Sequence, residues 1–220
     1  MAIYLTGDTH VPYDVEKLKK FKGKEGDTLI ILGDFGLYWQ DNDIHRKWKK
    51  YFNSRKYKVM WLDGNHENFD WIAKLPVGTW SNSKVHCEGN IIHLMRGEVY
   101  EIEGRSFFVC GGGISVDKHL RTEGISWWSQ EDVSWEEANN AMTNLAVRGN
   151  EVDYILTHTI FPEVIKDMFG LEPWHNEGNI GKLLKLVYDS VKFKEWYFGH
   201  YHEDVDNGRL HCLYDRIVKL

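Results

Sequence analysis

Apolar and polar residues alternate along the first third of the chain in a pattern that predicts strands separated by helices. The runs 3–5, Thr28–Leu32 and Lys58–Leu62 are short and largely apolar, which is typical of buried strands. Helices are predicted between them at 14–21 and 43–55, where apolar residues recur at intervals of three and four. Strands that alternate with helices predict βαβ units and a largely parallel sheet.

The second part of the chain begins with short apolar runs that turn residues separate. The runs at 90–95, Glu98–Ile102 and 106–110 predict an antiparallel section. The remaining predicted elements are a helix at 129–147, a strand at 152–156, a helix at 179–191, a strand at Glu195–Phe198 and a terminal strand at 210–218. Because no linker or internal repeat divides the sequence, we expect one domain over residues 1–220.

Composition narrows the class of protein. With 220 residues, 42% of them hydrophobic and 27% charged, the chain is expected to form a globular core without long disorder. The net charge of −6 gives no broad positive field, so nucleic acid is not favoured as a partner. Three cysteines without a C-x-x-C pair, and no secretory signal or membrane-spanning apolar run, predict a cytoplasmic protein with reduced thiols.

Candidate chemistry is concentrated where predicted strands end. The polar motifs at these ends are Gly7-Asp8-Thr9-His10, Gly33-Asp34, Gly64-Asn65-His66, Thr157-His158 and Gly199-His200-Tyr201-His202. Ligands of open α/β sheets bind outside the carboxyl ends of the strands, so we expect these motifs to converge. The Asp8–His10 and His200–His202 pairs are spaced two apart, and an extended backbone projects such residues to one side. The preceding glycines allow a close approach of the backbone.

The side chains of these motifs predict a metal site. The candidate ligands are Asp8, His10, Asp34, Asn65, His158, His200 and His202. Mixed carboxylate, imidazole and amide ligands suit Mn, Fe, Ni, Co or Zn, whereas Ca²⁺ prefers oxygen ligands alone. Seven ligands are more than one four-coordinate ion needs. We therefore expect two divalent metal ions that share a carboxylate.

In their order these motifs resemble the calcineurin-like metallophosphoesterase superfamily. Its pattern is D-x-H, G-D, G-N-H-E or G-N-H-D, an isolated histidine, and G-H-x-H, and every block occurs here in order between Asp8 and His202. The resemblance implies an α/β sandwich with mixed β-sheets flanked by helices. It also implies hydrolysis of phosphoric mono- or diesters by a hydroxide that bridges the two ions, with Mn²⁺ as the first candidate metal.

The resemblance also implies a role for each matching residue. The implied first metal shell is Asp8, His10 and His202, and the second is Asn65, His158 and His200. Asp34 would bridge the two ions and take part in catalysis. His66 would contact the phosphate and protonate the leaving oxygen, and Glu67 would orient a ligand ring and fix its tautomer.

The sequence leaves the substrate open. A small phosphorylated molecule or an exposed phosphate is favoured, because the chain has little room for a further recognition domain. The alternatives are a nucleic-acid phosphodiesterase or nuclease, with Trp127 and Trp128 as stacking residues, and a non-catalytic binding or scaffold protein. Arg121 is a candidate phosphate ligand, although a salt bridge within its loop explains it equally well. The sequence leaves any protein partner unknown.

Other residues are interpreted as supporting ones. Many relatives carry another aspartate soon after the G-D block, and its absence between Phe35 and Trp39 puts the substrate subtype in doubt. The glycines at 111–113 lack the residues of a P-loop and predict a strand-end turn beside the site. The histidines interpreted as structural are His45, His86, His93 and His211, whereas His119 and His175 lie in loops that could reach the site.

Overall fold

The computed structural model describes residues 1–172 and 178–220, and the strands in these ranges form two sheets. In chain order, β1 to β13 are Ile3–Thr6, Thr28–Leu32, Lys58–Leu62, Val77–Trp80, Ser83–Glu88, Ile91–Leu94, Glu98–Ile102, Arg105–Cys110, Tyr154–Thr157, Glu195–Phe198, Val205–Asn207, Leu210–Cys212 and Val218–Lys219. The helices α1 to α6 are Glu16–Lys20, Asp43–Asn53, Phe69–Ile72, Trp135–Val147, Pro162–Phe169 and Asn179–Ser190. Short 3-10 turns lie at Lys118–Leu120 and Ser129–Glu131.

Both sheets have parallel strands in the middle and antiparallel strands at the edges. The first has the order β13-β1-β2-β3-β6-β5-β4, in which β1, β2, β3 and β6 are parallel. The second has the order β11-β12-β10-β9-β8-β7, in which β12, β10, β9 and β8 are parallel. Parallel neighbours end at the same edge of a sheet, so the polar motifs that follow them lie side by side.

The core has three layers of apolar side chains, one between the sheets and one under each set of helices. Strand β2 shows why its residues 29–32 are all apolar. Ile30 and Leu32 pack between the two sheets, whereas Leu29 and Ile31 pack beneath the helices of the first sheet. A strand buried on both faces has no position for a polar side chain. The architecture is the predicted α/β sandwich of mixed sheets flanked by helices.

Cys87, Cys110 and Cys212 are free thiols, as predicted. Among the helices of the described ranges, none combines the length and the apolar character needed to cross a membrane.

The helix predicted at 129–147 begins later than expected. Residues Ser129–Glu131 form a 3-10 turn, and α4 starts at Trp135. Ser134 accepts a hydrogen bond from the amide of Glu137, whose side chain in turn accepts one from the amide of Ser134. This reciprocal capping box fixes the start of the helix.

The terminal strand predicted at 210–218 is wrong as a single element. Strand β12 lies in the second sheet and β13 in the first, so the chain crosses between the sheets at 213–217. The carboxylate of Asp204 accepts hydrogen bonds from the amides of Tyr214, Asp215 and Arg216, which holds this crossing. The hydrophobic periodicity of a strand carries no information about a contact between residues as far apart in the chain as Asp204 and Tyr214.

Five further elements were missing from the sequence prediction, namely α3, α5, β4, β5 and β11. Helix α5 has Pro162 in its first turn and ends at Gly170, whose φ of 66° is left-handed, so both end signals were present. The hairpin of β4 and β5 has exposed positions and lacks a continuous apolar run. The middle section is antiparallel only in part, because β6 is antiparallel to β5 but parallel to β3.

Candidate metal centre

One group of possible metal ligands lies where β1 and β10 end. The ligand atoms of Asp8, His10 and His202 all lie within 4.8 Å of one another. The His202 Nε2 atom is 3.1 Å from Asp8 Oδ2, and the rings of His10 and His202 are 5.1 Å apart. This group contains the three residues predicted for the first metal shell.

A second group lies where β2, β3, β9 and β10 end. The ligand atoms of Asp34, His158 and His200 lie within 4.8 Å of one another. The Asn65 Oδ1 atom is 3.0 Å from His158 Nε2, which places Asn65 with this group. The geometry thus brings together the four residues predicted for the second metal and the bridge.

Asp34 lies between the two groups. Its Oδ2 atom is 3.2 Å from His10 Nε2 and 3.4 Å from His158 Nε2, one nitrogen from each group. Its Oδ1 atom accepts a hydrogen bond of 2.8 Å from the amide of His66. The carboxylate is therefore held with one oxygen facing both groups, which is the position a bridging ligand needs.

Several candidate ligands have a left-handed backbone. The φ angles are 33° for His10, 45° for Asp34, 73° for His200 and 51° for His202. The expectation of extended backbone at the Asp8–His10 and His200–His202 pairs is therefore wrong, and the pairs converge because the chain turns. Non-glycine residues in this region cost about 1–3 kcal/mol each, and such strain concentrates at functional sites.

Glycines beside the ligands allow the strand ends to approach closely. A Cβ atom on Gly64 would lie 2.0 Å from Asp34 Oδ1, and one on Gly199 would lie 2.3 Å from Asp8 Oδ1. Both distances are too short for any side chain. A larger residue at either position would therefore displace a candidate carboxylate ligand.

The donor atoms of the site are those of a cation-binding site. Because His158 Nδ1 donates to the carbonyl of Leu32 at 2.8 Å, its Nε2 atom faces Asn65 Oδ1 and Asp34 Oδ2. The buried Asp8 Oδ2 atom faces His202 Nε2 at 3.1 Å. Each of these oxygens needs a proton on the facing nitrogen or a cation beside it, because buried polar atoms normally have partners. A bound cation takes the place of those protons, so the residues fit divalent metal ions.

The pKa shifts of the site residues also favour a positive charge between them. Burial lowers the pKa of His158, but the charge of Asp34 outweighs burial and raises that pKa to about 10. Burial likewise lowers the pKa of His10, and Asp34 raises it to about 9. Burial raises the pKa of Asp34, yet His158 and His10 hold it well below its usual range. Both carboxylates of the site are thus ionised and attract protons or metal ions.

Residues that sequence reasoning missed orient the candidate ligands. His10 Nδ1 donates to Asp14 Oδ2 at 2.8 Å, which leaves Nε2 facing Asp34. Asn65 Nδ2 donates to Ser115 Oγ at 3.0 Å, which turns its Oδ1 toward His158. Such contacts commonly fix the orientation and tautomer of metal ligands. The signal available for Asp14 was its position four residues after His10, in the loop before α1.

Glu67 has a different role from the one predicted. Its Oε1 atom accepts a hydrogen bond of 2.8 Å from the amide of Phe35, so it holds the turn after Asp34. Burial and the nearby charge of Asp34 raise the pKa of Glu67 well above its usual value. Glu67 therefore positions the backbone next to the bridging candidate and does not set the tautomer of a ligand histidine.

His66 lies at the boundary of two cavities beside the candidate ligands. The ligand cavity, of about 380 Å³, is lined by Asp34, Asn65, His200 and His202, and the Trp39 cavity, of about 370 Å³, is lined by Val11, Pro12, Trp39 and Arg121. His66 lines both. Burial lowers the pKa of its ring, and the negative charge of Asp34 offsets part of that effect. Among the described residues, His66 belongs to neither ligand group.

Arg121 forms the salt bridge that the sequence left as one alternative, and its role as a phosphate ligand stays a prediction. Its guanidinium forms a bidentate pair with Asp117, with both distances 2.8 Å, so the salt bridge within the loop exists. It also lines the Trp39 cavity together with His66. The glycines at 111–113 pass beside the site as predicted, because a Cβ atom on Gly113 would lie 3.3 Å from Asn65 Oδ1.

The other predicted residues lie in varied places. His45 lines the Trp39 cavity, which sequence reasoning did not expect of a structural residue. His86 and His93 form a buried pair with their Nδ1 atoms 2.9 Å apart, and His211 pairs with Asp206 and Glu195. His119 is exposed on its 3-10 turn. His175 lies outside the described residues.

Comparison with known proteins places the chain in a family. A profile of the calcineurin-like phosphoesterases matches residues 1–204. A search of curated sequences found no match. Among solved structures, the chain resembles a Staphylococcus aureus protein assigned as a 5'-nucleotidase and crystallised with alpha-ketoglutarate, at 12% identity and a TM-score of 0.47. That similarity covers 97% of this chain and 48% of the other, so this chain spans about half of its neighbour. From the family profile, we conclude that this protein belongs to the calcineurin-like phosphoesterase family.

Proposed function

We propose that the protein is a phosphoesterase that uses two divalent metal ions to hydrolyse a small phosphorylated substrate. The observation that carries the proposal is the pair of ligand groups with Asp34 Oδ2 between them. The first ion would be held by Asp8, His10 and His202. Asn65, His158 and His200 would hold the second, with Asp34 shared.

The chemistry of the donors favours transition metals. Three carboxylate or amide side chains and four imidazoles suit Mn²⁺, and also Fe, Ni, Co or Zn. When bound, two such ions supply Lewis acidity and lower the pKa of a coordinated water to about 7. The protein contributes fixed ligand orientation, through Asp14 at His10 and Ser115 at Asn65.

His66 is proposed as the acid that serves the leaving group. Its amide is fixed on Asp34 Oδ1, which sets the ring between the ligand cavity and the Trp39 cavity. A protonated ring there delivers its proton to the oxygen that leaves the phosphorus. General acid catalysis of this kind contributes about 10²–10⁴-fold in rate.

The alternative of a nuclease loses the observation on which it depended. Trp128 is buried, with its Nε1 donating to Asp70, and neither it nor Trp127 lines the two described cavities that share His66. The alternative of a scaffold is addressed by experiment. A protein that only binds a partner does not need His66, which lies next to the ligand groups without belonging to either of them.

The test is reconstitution with Mn²⁺, followed by metal analysis and assays of 4-nitrophenyl phosphate and bis(4-nitrophenyl) phosphate. We expect two ions per chain and hydrolysis that Asp34→Asn abolishes. The surface variant Asp189→Asn, which removes an exposed carboxylate on α6, serves as the matched control. Two bound ions without hydrolysis of any ester would favour the scaffold. Less than one ion per chain would refute the dinuclear site.

A further inference from the structure

The Trp39 cavity is the part of the site that the metal groups leave unexplained. It is lined by Val11, Pro12, Tyr13, Gly36, Trp39, Gln40 and His45, together with His10, His66 and Arg121. Most of the lining away from the ligands is apolar or aromatic. We propose that this cavity receives the leaving group of the substrate and selects one that carries a planar aromatic ring. The inference rests on the proposed phosphoesterase function.

The position of the two cavities next to each other determines how the substrate would be oriented. The ligand cavity contains the groups that would bind a phosphate, and the Trp39 cavity adjoins it, with His66 in the lining of both. A substrate with its phosphorus in the ligand cavity has its leaving oxygen beside His66. The organic group attached to that oxygen then extends into the Trp39 cavity.

Trp39 is held in place before any substrate arrives. It is half-buried, and its ring meets that of Trp128 edge to face, with centroids 5.5 Å apart at 82°. Trp128 is in turn fixed by a hydrogen bond of 3.0 Å from its Nε1 to Asp70. The Trp39 carbonyl also accepts a hydrogen bond from Asn68. A rigid indole loses little conformational entropy when a flat ring packs on it.

The remaining polar groups favour a ring that also carries hydrogen-bond acceptors. Arg121 lines the cavity and is held by its bidentate pair with Asp117 and by a hydrogen bond to the carbonyl of Ser126, and Gln40 is exposed at the cavity. Both side chains carry N–H donors. The ligand class is therefore the phosphate ester of an alcohol with an aromatic or heteroaromatic ring. The stacking tryptophan is Trp39, and not the Trp127–Trp128 pair that the sequence singled out.

Two substrates isolate the contribution of the ring. Both 2-phenylethyl phosphate and propyl phosphate release primary alcohols of similar acidity, so their chemistry at phosphorus is matched. We expect wild type to prefer the phenylethyl ester. In Trp39→Leu, the ratio of kcat/KM for the two esters should fall about 10-fold or more, as expected for loss of a stacked ring.

Matched variants separate the ring contact from folding. Trp39→Phe keeps an aromatic face and should retain most of the preference. Trp135→Leu removes a tryptophan that is 72% exposed on α4 and should leave the ratio unchanged. Metal content and near-ultraviolet circular dichroism report whether each variant is folded.

A binding measurement needs neither turnover nor a folded Leu variant. In ¹⁵N-labelled wild type, the indole resonance of Trp39, assigned by its loss in Trp39→Phe, should shift with 3-phenylpropylphosphonate and far less with propylphosphonate. An unshifted resonance, or an unchanged kcat/KM ratio in folded Trp39→Leu, would overturn this inference while leaving the phosphoesterase intact. If wild type hydrolyses neither ester nor any aryl phosphate, the proposed function itself fails.

Discussion

The two sheets contribute different chemistry to the candidate metal centre. The strand ends of the first sheet supply every candidate oxygen ligand, namely Asp8, Asp34 and Asn65. The strand ends of the second sheet supply only imidazoles, from His158, His200 and His202. Each ligand group nevertheless takes residues from both sheets.

Because of this difference, both carboxylates of the site face imidazole rings from the second sheet. The carboxylates of the first sheet raise the pKa of His158 to about 10, whereas burial and the charge of His158 lower that of His200 to about 3. Rings of the second sheet thus compete for one positive charge. A pair of divalent ions between the sheets satisfies both sides and ties them together.

The largest expected effect distinguishes Asp34, which both ligand groups would share, from a ligand that belongs to one group. Asp34→Asn should lose both ions and reduce kcat/KM by at least about 10³-fold, because several kcal/mol of metal catalysis disappear. His200→Ala, from the second sheet, should lose only one ion. Metal analysis of both variants after Mn²⁺ reconstitution checks this difference. Equal metal content would contradict the bridging position of Asp34.

The second prediction concerns a residue of the first sheet that does not belong to a ligand group. His66→Ala should lower kcat by about 10²–10⁴-fold while two ions remain bound. Steady-state kinetics and metal analysis on the same sample measure both quantities. Loss of metal in this variant would make His66 a ligand, and unchanged kcat would remove it as the acid.

The third prediction tests whether metal ties the sheets together. At a free Mn²⁺ concentration 100 times the Kd of each site, the free energy of unfolding should rise by about 2.7 kcal/mol per bound ion over protein stripped with EDTA. The ligands come from both sheets, so the unfolded chain lacks the site. Urea unfolding in both states measures the change. The same titration on Asp34→Asn should show little stabilisation, and a full effect there would point to metal binding elsewhere.

The smallest expected effect comes from Asp14, which contacts the candidate ligand His10. Asp14→Asn removes the charge that orients His10 and should weaken binding of the first ion about 10–100-fold, with the second ion retained. Competition with a metal indicator gives the two affinities. Equal weakening of both ions would show that Asp14 acts on the whole site rather than through His10.

The sequence identified residues that the structure brings together, because the signals of the candidate site are local. A buried strand is recognised from its own apolar run, and the residue that follows it is read directly from the chain. Parallel neighbours then bring Asp34 and Asn65 to one edge without any knowledge of packing. The same locality explains the failures. The role of Glu67 and the division of 210–218 between two sheets depend on partners distant in the chain.

The sequence by itself determined the parallel strands that carry the candidate ligands, the family and the seven residues proposed as ligands. Only the tertiary structure decided the left-handed turns at His10 and His200, the support from Asp14 and Ser115, and the position of Trp39 beside His66. The physical reason is the range of the interactions. Periodicity and motif order reflect contacts within a few residues, whereas a cavity wall forms only after two sheets and their loops have packed.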